Sequence, residues 1–171
     1  MPILPPINFK EWIEDNRELL KPPVGNKCVY EDAEFIVMVV GGPNSRKDYH
    51  YDLGEEFFYQ IEGDMLLKIK DGDEFKDISI KEGEIFLLPP KTPHSPQRFE
   101  NTVGLVIERT RKEDELDGFQ WYCEQCGNLL YEEFLWVNDI VGQLPPIFDR
   151  FWDSMDNRTC KKCGEVQNPL D

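Results

Sequence analysis

The chain has only two histidines, His50 and His94, and five cysteines among its 171 residues. It also lacks any run of Lys or Arg, any long apolar segment, and any internal repeat beyond two short cysteine pairs. Lys and Arg total 19 against 34 Asp and Glu, a formal net charge of −15. Such a surface repels a phosphate backbone, and no local basic patch overcomes the repulsion. Nucleic acid and anionic membrane are therefore not expected as partners. The longest apolar run, Phe35 to Val40, falls far short of the roughly 20 residues that cross a bilayer. The N-terminal MPILPPINFKEW lacks the basic-then-apolar layout of a signal peptide, so the expectation is a soluble, cytoplasmic protein. The composition, 40% hydrophobic and 12% aromatic, is nevertheless sufficient for a packed core.

Asn8 precedes an apolar set at Phe9, Trp12 and Ile13, with Glu11 three residues after the cap and Pro22-Pro23 at the far end. This pattern predicts a short amphipathic helix between Asn8 and Leu20. From Cys28 to about Glu108 the pattern changes to short β-rich runs: EFIVMVV, EFFYQIE, MLLKIK, FKDISI, EIFLL and VGLVIE. Turn chemistry at Gly63-Asp64 and Asp71-Gly72-Asp73 separates some of them, which predicts a barrel or sandwich. Met65, Leu67 and Ile69 share one face of a hairpin, opposite Ile78 and Ile80. The division expected is a barrel with its helix over residues 1–111 and a C-terminal extension over 112–171. The charged RKEDELDG reads as a linker, followed by FQWYCEQCGNLLYEEFLWV, a proline-led helix near Pro146–Met155 and TCKKCGEV. This extension holds 13 acidic residues against 5 basic ones, so it is the more acidic part by density.

Four cysteines form two CxxC pairs, Cys123/Cys126 and Cys160/Cys163, each followed at once by glycine. A CxxC turn lets two thiolates converge on one tetrahedral ion while backbone amides point at the sulfurs, and two such knuckles complete a four-cysteine site. Disulfides are disfavoured by the intracellular reading. Spacing does not choose between zinc and iron. In a small extension with little core of its own, such an ion serves as a staple. Cys28 stands apart and reads as a small buried apolar residue.

Both histidines sit in longer patterns. His50 lies in GGPNSRKDYHYDLGEEFFYQIEGDM with Glu56 and Gly63 after it; Gly83, Pro89 and His94 fall at related intervals in GEIFLLPPKTPHSPQRF. These blocks resemble the paired motifs of the cupin barrel. Two imidazoles and one carboxylate on one face of an octahedral ion leave three positions open, the arrangement of non-haem Fe(II) oxygenases. Glu55 and Glu56 compete for the carboxylate role, and the cupin register favours Glu56. Phe57, Phe58 and Phe99 read as core.

The stretches around His50 and His94, VGLVIERTR and the double CxxC closely resemble the 3-hydroxyanthranilate 3,4-dioxygenase family, from about residue 3 to residue 165. The resemblance implies a mainly β cupin barrel (double-stranded β-helix, jelly-roll-like) with a short N-terminal helix and a small rubredoxin-like four-cysteine excursion. It implies catalytic Fe(II) at His50, Glu56 and His94, and iron or zinc at Cys123, Cys126, Cys160 and Cys163. The implied substrates are 3-hydroxyanthranilate and O2, with Glu56, Arg98 and Glu108 against the organic substrate. Arg98 would pair with its carboxylate, Glu108 would accept its proton, and Arg46 would stand beside the dioxygen position. The implied product, 2-amino-3-carboxymuconate 6-semialdehyde, cyclises to quinolinate, a precursor of NAD. A homodimer is also implied. The competing reading is another cupin oxygenase acting on a different small carboxylated substrate.

Overall fold

A computed structural model describes residues 3, 5–22, 25–31, 33–137 and 140–170, with backbone alone for 140–142. The predicted helix is present as α1 (Phe9–Asn16), and the Asn8 side chain accepts a hydrogen bond from the Glu11 amide at 3.3 Å. A 3₁₀ turn, Arg17–Leu20, follows it. Of the proline pair expected to end this stretch, Pro23 lies outside the described residues. Ile13 and Leu20 are buried against Val39 and Val103, so this segment covers part of one sheet's outer face.

Among the described residues eleven strands follow in chain order: β1 (Asn26–Cys28), β2 (Phe35–Gly41), β3 (Asp48–Tyr51), β4 (Glu56–Glu62), β5 (Met65–Asp71), β6 (Glu74–Ile80), β7 (Ile85–Leu88), β8 (His94–Arg98), β9 (Val103–Arg109), β10 (Asp117–Tyr122) and β11 (Leu129–Leu135). They form two antiparallel sheets, in the orders β1-β2-β9-β4-β7 and β11-β10-β3-β8-β5-β6. Between β2 and β9 the chain alternates from sheet to sheet except at the β5–β6 hairpin. That alternation is the jelly-roll winding of a cupin. The hairpin register sets Met65 opposite Ile80 and Leu67 opposite Ile78, as the alternation predicted. Phe58, Met65, Leu67, Ile80, Leu88 and Val106 fill the space between the sheets. Each contributes about 1.5–3 kcal/mol by leaving water.

Several expectations need correction. The stretch RKEDELDG is not a free linker. The Arg109 fork grips Glu115 at 2.5 and 2.7 Å, Lys112 N donates to Glu115, and the stretch ends in β10, which pairs with β3. The second sheet therefore draws strands from both sides of residue 111. The late helix α2 spans Ile140–Trp152, beginning before the position expected from its prolines. Pro145 and Pro146 lie exposed within it. Ile147, Phe148 and Phe151 pack on Phe119 and Trp121, and this contact holds the helix despite two missing N–H donors. A short α3 (Met155–Arg158) with Ser154 as its cap leads to the second CxxC. Cys28 is exposed on the edge strand β1, and Phe99 is also exposed, whereas Phe58 is core. Among the described residues no helix is long and apolar enough to cross a membrane.

Candidate active site

Strand pairing brings the three expected ligands together. His50 on β3 is directly opposite His94 on β8, and the two rings lie 5.3 Å apart at 67°. Glu56 opens β4 in the facing sheet and points inward, 7% exposed, while its neighbour Glu55 is exposed. Alternation along the strand thus separates the two competing carboxylates. Ligand atoms of His50, Glu56 and His94 lie within 4.8 Å of one another.

The His94 ring is oriented by Nδ1 against the Thr92 carbonyl at 3.0 Å, so Nε2 is left as a lone pair if Nδ1 carries the proton. That Nε2 stands 2.8 Å from Glu56 Oε2, a buried oxygen with no hydrogen-bond partner. With the proton on Nδ1, these are two acceptors facing each other, the donor set that a cation satisfies. The charges nearby agree. Asp48, Asp52, Glu56, Glu108 and Asp117 are all buried, against the guanidiniums of Arg46, Arg98 and Arg111. With neutral histidines this leaves an excess of two negative charges, which a divalent ion offsets.

The remaining expected residues surround this cluster. Arg98 follows His94 on the same face of β8 and is 3% exposed. Its Nη1 reaches Gln60 Oε1 at 3.4 Å, and no carboxylate among the described residues pairs with it. Burial pulls its guanidinium down to about 10, with the Glu56 charge opposing. Gly104 makes room for it, since a Cβ there would lie 2.5 Å from Arg98 Nη1. Glu108 on β9 stands directly opposite Glu56 on β4. Burial, then the charge of Glu56, push its carboxyl above the usual range, and Arg111 opposes them. Arg46 precedes β3 and grips Asp48, through Nε at 3.2 Å and a closer Nη2 contact. Its charge is felt by both Glu56 and His94.

Three residues not singled out in the sequence complete the surroundings. Asp117 Oδ2 lies 2.8 Å from His50 Nε2, and the Phe119 ring stacks on His50 at 5.3 Å. Arg111 reaches three of the carboxylates. In the sequence both Arg111 and Asp117 sit inside the charged run, where composition alone reads as solvated surface.

The four paired cysteines also converge. Cys123 and Cys163 sulfurs are 3.6 Å apart, as are those of Cys126 and Cys160, and all four lie within 4.8 Å. Zn–S bonds of about 2.3 Å give tetrahedral sulfur edges of about 3.8 Å, so the cluster fits an ion and is too open for disulfides. Its two halves repeat one geometry. Gly127 N and Gly164 N donate to the carbonyls of Cys123 and Cys160 at 2.8 and 2.9 Å, and both glycines have positive φ, 68° and 80°. A side chain at either position would strain that turn.

The 3-hydroxyanthranilic acid dioxygenase family matches residues 1–152. The chain belongs to that family. A 3-hydroxyanthranilate 3,4-dioxygenase from Xanthomonas euvesicatoria pv. vesicatoria is 57% identical over 96% of this chain and 93% of its own length. Another from Jannaschia sp. is 60% identical over 93% of this chain and 89% of its own. Among solved structures, a cupin-2 domain containing protein from Shewanella frigidimarina covers 61% of this chain and 94% of its own, at 19% identity and TM-score 0.47. Membership makes the chain a metal-dependent, non-haem dioxygenase of the 3-hydroxyanthranilic acid dioxygenase family.

Proposed function

We propose that the barrel site opens the ring of 3-hydroxyanthranilate with both atoms of O2, giving 2-amino-3-carboxymuconate 6-semialdehyde, which then cyclises to quinolinate. The observation that carries this reading is the conjunction of a two-histidine, one-carboxylate cluster with a buried arginine that has no carboxylate partner among the described residues. His50, Glu56 and His94 would hold Fe(II), whose chemistry is to bind dioxygen and the substrate's oxygen and nitrogen at adjacent positions.

The chain's own residues do the rest. Arg98 receives the substrate carboxylate; a buried guanidinium without a counter-charge is stabilised by an anion, and its planar fork orients that anion. Glu108, with its proton affinity raised, accepts the proton of the substrate hydroxyl. Glu56 lies opposite it and borders the same space, so it touches the substrate as well as the ion. Arg46, held by Asp48, carries a positive charge felt at Glu56 and His94, where it would offset negative charge that develops on oxygen.

The four cysteines would hold zinc or iron as a staple between β10 and the tail after α3. We assign residues 1–111 to the barrel and 112–171 to the stapled extension, whose first strand β10 completes the second sheet and sets Asp117 behind His50, and a cytoplasmic location to the whole. The implied homodimer has a suitable surface on the outer face of the first sheet, where Phe35, Ile85 and Leu87 are exposed beside Phe57 and Ile107. Protein loaded anaerobically with Fe(II) tests the reading: given 3-hydroxyanthranilate and air, it takes up one O2 per substrate and forms a transient product that decays to quinolinate. Absence of uptake by fully loaded protein would overturn it, and preference for a plain catechol would favour a different cupin oxygenase.

A further inference from the structure

We propose that Arg111 is a positioning residue that holds the Glu108 carboxylate and, through Asp117, the His50 ring in one frame. The inference rests on the roles assigned above to His50 and Glu108. The Arg111 side chain is 6% exposed; its N–H groups bond two buried carboxylates, Glu108 and Asp117, and its charge lies beside a third, Asp52. Nη1 lies 2.8 Å from Glu108 Oε1 and Nη2 3.1 Å from Glu108 Oε2, a two-pronged grip that fixes the plane of that carboxylate. Nε stands 3.0 Å from both oxygens of Asp117, and Nη2 lies 2.8 Å from Asp117 Oδ2.

That same Asp117 oxygen is 2.8 Å from His50 Nε2. A histidine that donates one N–H to a fixed carboxylate presents its other nitrogen as a lone pair and cannot turn about its ring axis. The third contact, 3.3 Å from Nη2 to Asp52 Oδ2, reaches the turn before Glu56, where Asp52 Oδ1 accepts from the Gly54 amide at 2.9 Å. One guanidinium therefore joins the Glu108 carboxylate to the support of His50, on strands of two different sheets, and reaches the turn that leads into Glu56.

Lysine cannot reproduce this. A single ammonium satisfies one carboxylate at a time and lacks the planar fork, so at least one of the buried acids loses its charged partner. Two separable effects follow. Loss of the grip on Glu108 leaves substrate binding through Arg98 in place but misdirects the proton acceptor, which lowers kcat more than it raises KM. Loss of the hold on Asp117 releases the His50 ring, which weakens ion binding at the barrel.

Full-length Arg111→Lys, Arg111→Gln, Asp117→Asn and His50→Ala proteins test this, each assayed for kcat, KM, melting temperature and Co(II) dissociation constant at the barrel. Arg111→Lys is expected to lower kcat about 10- to 100-fold with KM changed less than threefold. Arg111→Gln and Asp117→Asn are expected to raise the Co(II) dissociation constant about 10- to 100-fold. All three should keep the cysteine-bound metal. Wild-type kcat in Arg111→Lys, together with wild-type Co(II) affinity in Asp117→Asn, overturns the proposal. So does a loss of activity that tracks a loss of folded protein across all three variants. If His50→Ala also retains full Co(II) affinity, the ligand assignment itself fails, which separates the two claims.

Discussion

The barrel triad and the cysteine cluster each gather ion-binding atoms within 4.8 Å, yet they are built in opposite ways. The cysteine site is made from two local turns with matching hydrogen bonds, and it offers four identical sulfurs. It is a closed donor set, suited to holding an ion and to little else. The triad offers three donors from three strands, leaves coordination positions open, and is surrounded by buried carboxylates and arginines. Its order comes from long-range strand register and from hydrogen bonds behind the ligands. A staple can thus be specified by a short motif, whereas a reactive site needs the whole fold.

The largest effect should separate the two sites outright. Glu56→Ala is expected to lower turnover at least about a thousandfold, since an ion contributes several kcal/mol to the barrier. Metal analysis should find the barrel ion lost and the cysteine ion retained. Conversely, Cys160→Ser should release the cysteine ion. At a loss of about 5 kcal/mol, the melting temperature would fall by roughly 10–20 °C. A Cys160→Ser protein with unchanged melting temperature would show that the cysteine ion is no staple.

A smaller effect probes recognition within the barrel. Arg98→Gln is expected to raise KM for 3-hydroxyanthranilate about 10- to 100-fold, the equivalent of losing charged hydrogen bonds of about 1.5–3 kcal/mol. A substrate analogue lacking the carboxylate should be insensitive to the substitution, as steady-state kinetics on the two substrates would reveal.

The smallest effect concerns the charged turn that joins the two regions. The Arg109 fork first, then the Lys112 amide, lower Glu115 to about 2 from an ordinary 4.5. A depressed folded-state pKa means that this contribution is present above about pH 4.5 and disappears as the pH falls toward 2. The melting-temperature gap between wild type and Glu115→Gln should therefore close over that interval. A gap that stays constant would remove the ion pair from the stability of the turn.

Much of this was legible in the chain because it is written in apolar alternation or in cysteine spacing. Strands β2, β4, β5, β6, β7 and β9 carry apolar runs, and the CxxC pairs need no tertiary context. By contrast, β3 (DYHY) and β8 (HSPQR) place histidine and arginine on their inward face, so the two strands that carry the histidines lack an apolar signal, while Glu56 and Glu108 ride on strands that have one. Arg111 and Asp117 were hidden for a related reason. They lie buried as partners of each other and of Glu108, His50 and Asp52, and a run of mixed charge gives no sign of such pairing. The scarcity of histidine, by contrast, was informative, since both copies meet in one cluster.

The central claim is that chemistry belongs to the triad and that the cysteine ion only supports the fold. Oxygen uptake per barrel iron in Cys160→Ser protein, loaded with Fe(II) and assayed well below its lowered melting temperature, tests it most directly. The expected result is turnover within about twofold of the parent. Folded variant with a full complement of barrel iron and no oxygen uptake would contradict it.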